Sequence, residues 1–284
     1  MSTLEERKKS RKELEEKLKE VPEGERIHIE KEKLDSLIFE QYLIEDENIM
    51  CKFPIWTGDF LTKLDLSELD FADVCWSIHG NPMFDTLFYE ELKEYDMLSS
   101  NENNFSNTNA RIDLSQSIEA RYYNTLYIVG CNFENVDLSF NDLSQVNDGC
   151  ILNCNLKNTG LLFPSHLIPY INESTILEGC DLSNLNVSMF DFLTTLEGID
   201  SNLKNTGLRI EYSNSYEEWN AIENYRGETS KEELAVSLAS GRLDGCYINN
   251  IQIDSTQIQS PLQYLEQLAS AYNSGDIPKG GSHK

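Results

Sequence analysis

A period of five residues runs through this sequence, and it is clearest between Thr175 and Thr194. Read in fives, the third positions are Leu177, Leu182, Val187 and Phe192, and the first positions are Thr175, Cys180, Leu185 and Phe190. Five suits neither a helix of 3.6 residues per turn nor a strand of period two. It suits a chain that runs straight for a few residues, turns a corner and repeats. Four such turns close a square coil of about twenty residues, and stacked coils would join by parallel backbone hydrogen bonds about 4.8 Å apart. The central Leu or Phe of each five then points inward. The residue two places earlier must also fit inside, and Cys131, Cys154, Cys180 and Cys246 hold that place. The remaining positions face water and carry Asp, Asn, Ser, Glu and Lys, so the period accounts for the polar positions as well as the apolar ones.

The pattern starts at Phe60, with Leu66 and Phe71 as centres, and breaks after Trp76. It returns at Phe133, Leu138 and Leu143, slips, and resumes through Ile151, Leu156 and Leu161. Beyond Thr194 it slips again to Leu203 and Leu208, and it ends with Leu243, Ile248, Ile253 and Ile258 in phase. The expected core of the repeats is thus Leu66, Phe71, Phe133, Leu138, Leu143, Leu156, Leu177, Leu182, Val187, Phe192, Leu203, Leu208, Leu243, Ile248 and Ile253. Exact repetition supports a repeat architecture. Asn155–Leu161 recurs identically as Asn202–Leu208, and Leu177-Glu-Gly-Cys180 returns as Leu243-Asp-Gly-Cys246.

These residues resemble the pentapeptide-repeat family, whose usual unit is Ala-(Asp/Asn)-Leu-x-x. The local matches are Cys131-Asn-Phe133, Cys180-Asp-Leu182, Leu69-Asp-Phe71 and the Asn202–Leu208 heptad. The resemblance implies a mainly β fold, a right-handed quadrilateral β-helix, short and interrupted, and it brings no catalytic residue. Ala is rare at the small inward position, and long excursions interrupt the stack. The expected organisation is a helical region over 1–59, the repeats over 60–259 with excursions at 82–109, 162–174 and 209–240, and a terminal helix and flexible tail over 260–284.

Local signals place helices around the repeats. Thr3 and Glu6 form a capping box before a helix over Glu5–Lys19, whose thin stripe of Leu4, Leu14 and Leu18 reads as a solvated cap. Pro22–Glu25 is a turn, and a second helix is expected over Glu30–Leu43, with Leu34, Leu37, Ile38 and Tyr42 on one face. A short amphipathic helix is expected within Pro82–Leu98, and irregular coil over Ser99–Asn109. Ser230 and Glu233 cap another helix over Lys231–Leu238. Ser260-Pro261 opens a last helix, with Leu262, Leu265, Leu268 and Tyr272 on its apolar face. That helix either caps the repeats or forms a homodimer.

The net charge of −26 argues against direct contact with nucleic acid or an anionic membrane. Residues 35–110 carry sixteen acids against three bases, half of that charge. No 18-residue apolar run and no apolar leader are present, so neither a membrane span nor a secretory signal is expected. Seven cysteines without framework spacing point to reduced thiols and a cytoplasmic protein.

The residues bear on three kinds of chemistry. Cys150-x-x-x-Cys154, with Cys131 and Cys180, lacks the second ligand pair of a zinc site, and the histidines at 28, 79, 166 and 283 are scattered. Stacked core cysteines are the better reading, so no metal is expected. The carboxylate pairs Asp137/Asp142 and Asp181/Asp191 sit at a repeated polar position, which the repeat itself explains. Phosphate-binding glycine motifs are lacking, so no cofactor is expected. The sequence therefore points to a non-enzymatic scaffold for protein–protein interaction, with an unidentified protein partner, whose individuality lies in Pro82–Leu98 and Glu211–Ser240. Trp56, Trp76 and Trp219 are its candidate anchors. The alternative is an acidic DNA mimic acting on a topoisomerase or another DNA-binding protein. A carbohydrate-active β-helix enzyme, with two close carboxylates in a cleft, comes third.

Overall fold

The computed structural model describes residues 4–44, 49–76, 103–171, 175–194, 202–213, 215–226 and 231–274. The chain divides into two compact units, Met1–Leu161 and Leu162–Lys284, and the division falls at the start of the excursion expected at 162–174.

In the first unit, helix α1 spans Leu4–Leu18 and α2 spans Lys31–Ile38. Glu5 and Glu6 lie in the first turn of α1, where the helix dipole favours acids. At its other end Lys63 Nζ donates to the carbonyls of Leu18 and Val21, both at 2.8 Å, so the last helix carbonyl and one in the chain just beyond are satisfied from across the fold. The turn over Pro22–Glu25 forms as expected, with Gly24 at φ 83°. The second helix is shorter than its apolar pattern suggested. It stops at Ile38, and Phe39–Ile44 is strand β1, paired antiparallel with β2, Ile49–Pro54. Leu34, Leu37, Ile38 and Phe39 are all buried, so the apolar run crosses from helix into strand without leaving the core.

Further strands in this unit are β3, Asn103–Asn104; β4, Thr125–Val129; β5, Cys131–Asn132; and β6, Asp148–Leu152. A one-and-a-half-turn helix, α3, Ile118–Tyr123, precedes β4, with Ser117 Oγ accepting from Ala120 N. β3 pairs with β5 and β4 with β6, both parallel. The core is aromatic. Trp76 lies T-shaped against Phe105 and Phe133, with ring centroids 5.7 and 5.1 Å away, and Phe71 meets Phe39 and Phe105 edge-on.

In the second unit, a 3₁₀ turn over Ser165–Tyr170 carries the two-proline excursion. Strand β7, Asn186–Ser188, leads into helix α4, Met189–Thr194; β8 is Arg209–Glu211; α5 is Tyr216–Arg226; α6 is Lys231–Ala239. Strands β9, Tyr247–Ile248, and β10, Ile251–Gln252, precede the last helix, α7, Pro261–Ser274. The sheet order is β10-β9-β8-β7, with β7, β8 and β9 parallel and β10 antiparallel.

This is a mixed α/β fold with small, separate sheets, and it corrects the expected right-handed quadrilateral β-helix. Among the described residues the strands join neither into a β-helix nor into any other solenoid. The parallel pairings run for only two to five residues. Two of the strand pairs are antiparallel, which a β-helix does not permit. The reason lies in what each five does with its backbone. Many fives close an i to i+3 turn on themselves, as in Leu69 N to Leu66 O, Val136 N to Phe133 O, Val146 N to Leu143 O and Leu185 N to Leu182 O. Amides spent inside a turn are not available to a long ladder. The stretch that carries the clearest fives also departs from them, because its last five is helix α4. Ser188 Oγ accepts from Asp191 N at 3.0 Å and donates to Asp191 Oδ2 at 2.7 Å, capping that helix. The helix expected within Pro82–Leu98, the capping residues Thr3 and Ser230 and the tail Gly280–Lys284 lie outside the described residues.

Candidate interaction surface

The sequence repeats Asp-Leu-Ser at Asp65, Asp113, Asp137, Asp142 and Asp181. In each, the carboxylate turns back and accepts from the backbone N–H two residues on, at 2.9–3.2 Å. At Asp65, Asp113, Asp137 and Asp181 the serine hydroxyl donates to the same oxygen at 2.6–2.7 Å. Asp and Ser are the residues that form such side-chain turns most readily. The hydrogen bonds also hold the charge in place. Those from Ser67 and Asn109 bring Asp65 down to about 2, and serine hydroxyls lower Asp137 and Asp142. A general acid needs the opposite shift, so Asp137 and Asp142 are poor candidates for the carbohydrate-cleaving pair. Asp181 and Asp191 are each bound to their own serine, Ser183 and Ser188.

The identical heptads build identical corners, one in each unit. Asn155 Nδ2 donates to Glu134 Oε2, and Asn202 Nδ2 to Glu178 Oε2, both at 3.1 Å. Thr159 and Thr206 hydroxyls each donate to the carbonyl three residues back at 2.8 Å. Gly160 and Gly207 follow with φ of 65° and 70°, and a Cβ there would lie 3.2 and 3.1 Å from the Cβ of Ser139 and Ser183. Glycine is thus required twice over, by backbone sign and by space. Beside the first heptad, Asn107, Asn135 and Asn158 all take left-handed φ near 60° and hydrogen-bond in a column, at 2.7 and 2.9 Å.

Of the expected core residues, Leu66, Phe71, Phe133, Leu138, Leu143, Leu156, Leu177, Leu182, Phe192, Leu203, Leu208, Leu243, Ile248 and Ile253 are buried. Val187 is half-buried, while its neighbours Leu185 and Met189 are buried. The switch into α4 explains the difference, since strand alternation ends there. On α7, Leu265 and Leu268 are buried and Leu262 is exposed; the Tyr272 side chain lies outside the described residues. Trp56, Trp76 and Trp219 are at most 6% exposed, so none is available as a surface anchor. Trp56 Nε1 donates to Glu15 Oε1 at 3.0 Å instead, and Tyr212 and Lys231 pack on the Trp219 ring.

Helix α1 is bound to the first unit by polar groups, where the sequence suggested a solvated cap. Arg7 pairs with Glu40, Arg11 Nη1 donates to Ile55 O at 2.8 Å, and Glu15 holds Trp56. The cysteines at 131, 154, 180 and 246 are buried and Cys150 is half-buried. Among the described residues no group of three or more His, Cys, Asp or Glu is arranged to hold a metal ion.

Two exposed apolar residues carry no signal in the sequence. Tyr216 opens α5 and is 81% exposed, and Val236 lies midway along α6 and is 69% exposed. On α6 the face opposite Val236 is buried through Leu234 and Leu238, and on α5 Trp219, one turn on from Tyr216, is buried. The start of α5 was readable from Ser215-Tyr-Glu-Glu218, a capping box in which Ser215 Oγ accepts from Glu218 N at 3.1 Å. Among the described residues no helix is long and apolar enough to cross a membrane. Neither a family model, nor a curated protein, nor a solved structure matches the chain.

Proposed function

We propose that this protein is a non-enzymatic binding protein of the cytoplasm that works through protein–protein contact, with its individual surface on the excursion between Glu211 and Ser240. The observation that carries this reading is the pair of excursion helices, each held by buried side chains, Trp219 on α5 and Leu234 and Leu238 on α6, and each presenting an exposed apolar one, Tyr216 or Val236. Single exposed hydrophobic residues are ordinary on protein surfaces. Their weight here comes from their place on inserted helices, where variation is free of the packing that fixes the repeats. Hydrogen-bonded turn carboxylates and the net charge of −26 favour a partner with a basic surface. Seven cysteines outside any disulfide support the reducing compartment. The inward turn of Leu265 and Leu268 supports a covering role for α7 over a homodimer. DNA mimicry needed a rod as well as charge, and without a β-helix only the charge argument remains.

Capture from a lysate of the native host tests the reading. Wild type is compared with Tyr216→Ser/Val236→Ser, whose substitutions lie on exposed positions and leave both helix cores intact. The expected result is a discrete protein partner held by wild type and lost by the double variant. An identical set of captured proteins from both would overturn the placement of the surface.

A further inference from the structure

Two thiols in the core of the first unit stand face to face. Asn132 bridges Asn155 in parallel, with Asn155 N donating to Cys131 O at 2.8 Å and Phe133 N to Asn155 O at 2.8 Å. That register sets Cys131 directly beside Cys154. Paired residues on neighbouring strands lie about 4.8 Å apart, inside the Cα separation of roughly 4.4–6.8 Å that a disulfide spans. Both side chains point inward and each is 1% exposed. We propose that this pair is an oxidation site, at which a hydroperoxide converts the two thiols into an intramolecular disulfide between Cys131 and Cys154.

The surroundings suit that chemistry. The Cys131 thiol hydrogen-bonds to Cys154, and this contact lowers Cys154, whereas burial raises Cys131. Cys131 Sγ also donates to Trp76 O at 3.4 Å and Cys154 Sγ to Leu152 O at 3.2 Å; we take Cys154 as the attacking sulfur and Cys131 as the resolving one, since the thiolate is the nucleophile. Asn103 is half-buried and places its Nδ2 3.8 Å from Cys131 Sγ, so the pair lies one side chain below the surface. In the same unit, Cys75 Sγ is turned toward Glu119 Oε1 at 3.2 Å, and burial pushes Cys51 up to about 12.

The step balances in two stages. The Cys154 thiolate attacks one peroxide oxygen, the O–O bond breaks, hydroxide leaves, and Cys154 becomes a sulfenic acid. Cys131 sulfur then attacks the Cys154 sulfur, the S–O bond breaks, and the hydroxyl leaves as water with the Cys131 proton. The hydroxide takes up the proton released when Cys154 ionised. Two thiols are oxidised and one hydrogen peroxide is reduced to two waters.

Hydrogen peroxide titration of the full chain tests the site, scored when the half-buried Cys150 is fully oxidised. Non-reducing peptide mapping should show Cys131 joined to Cys154, with both thiols recovered after reduction. In Cys131→Ser, which removes the resolving thiol, Cys154 should stop at the sulfenic acid and be trapped by dimedone. Circular dichroism would confirm that the variant keeps its fold. The proposal is overturned if both thiols remain free when Cys150 is spent, or if the disulfide found joins Cys150 to either of them.

Discussion

Two buried asparagines do equivalent work in the two units. Asn141 Nδ2 donates to Ile112 O and Leu138 O, both at 3.0 Å, while its Oδ1 accepts from Leu114 N. Asn249 Nδ2 donates to Tyr212 O and Leu268 O at 2.7 and 3.1 Å, and its Oδ1 accepts from Tyr212 N. Each carboxamide satisfies backbone that water does not reach. Asn141→Ala and Asn249→Ala should each lower unfolding stability by about 2–4 kcal/mol, because several buried groups are orphaned together; denaturant titration measures this. Asp65 gives a pH prediction. Hydrogen bonds depress its folded value to about 2 from an ordinary 3.8, so its contribution is present above 3.8 and lost as pH falls toward 2. Melting temperature against pH should therefore fall less steeply over that window in Asp65→Asn than in wild type. None of the asparagine contacts was legible in the sequence. The period marks position 141 as inward, but it does not name the three backbone groups that require an amide there.

At the scale of elements, α1 and the β4–β6 pair show how differently two contacts can be held. The docked face of α1 buries guanidinium atoms: Arg7 Nε, Arg11 Nε and Arg11 Nη2 make no hydrogen bond among the described residues. Burial and the nearby Arg7 lower Arg11. Buried charge is costly, and replacing a buried ion pair by apolar chains of similar volume is often neutral or stabilising. Arg11→Met should leave stability unchanged or raise it by about 1 kcal/mol, whereas Glu15→Ala should lower it by about 1–2 kcal/mol by stranding Trp56 Nε1. Chemical denaturation of both variants makes the comparison. The β4–β6 contact tolerates nothing at Gly149, where a Cβ would lie 2.3 Å from Leu126 O. Gly149→Ala should separate the strands and speed amide exchange at Gly130 and Asn147, whose N–H groups donate to Leu152 O and Asn124 O. Elements were legible where a cap or a breaker spoke for itself, as at Pro261 for α7. They were missed where the fives masked another signal: Ser188-Met-Phe-Asp191 is a helix start inside the most regular repeat. The β1–β2 hairpin was hidden because Leu34–Phe39 stays buried through a change from helix to strand.

For the whole molecule, the period of five reported which residues go inside and left open how the backbone pairs. Fourteen of the fifteen expected core positions are buried, yet the sheets are short and separate. Inward side chains follow from the alternation of apolar and polar residues. Ladder length depends on where each amide finds its acceptor, and here the turns capture many of them. The candidate surface was legible only as a region, since the excursion was marked by its loss of period and nothing distinguished Tyr216 or Val236 within it. The account as a whole rests on a folded surface that binds a protein partner. Isothermal titration of the captured partner into wild type, Tyr216→Ser/Val236→Ser and Asp65→Asn/Asp137→Asn/Asp142→Asn tests it most directly. Asparagine keeps the turn acceptor and removes the charge, so the third protein isolates the electrostatic part. The predicted result is saturable binding, at least about tenfold weaker in the double serine variant, with a reduced salt dependence in the triple asparagine variant. Equal affinity and equal salt dependence in all three proteins would contradict it.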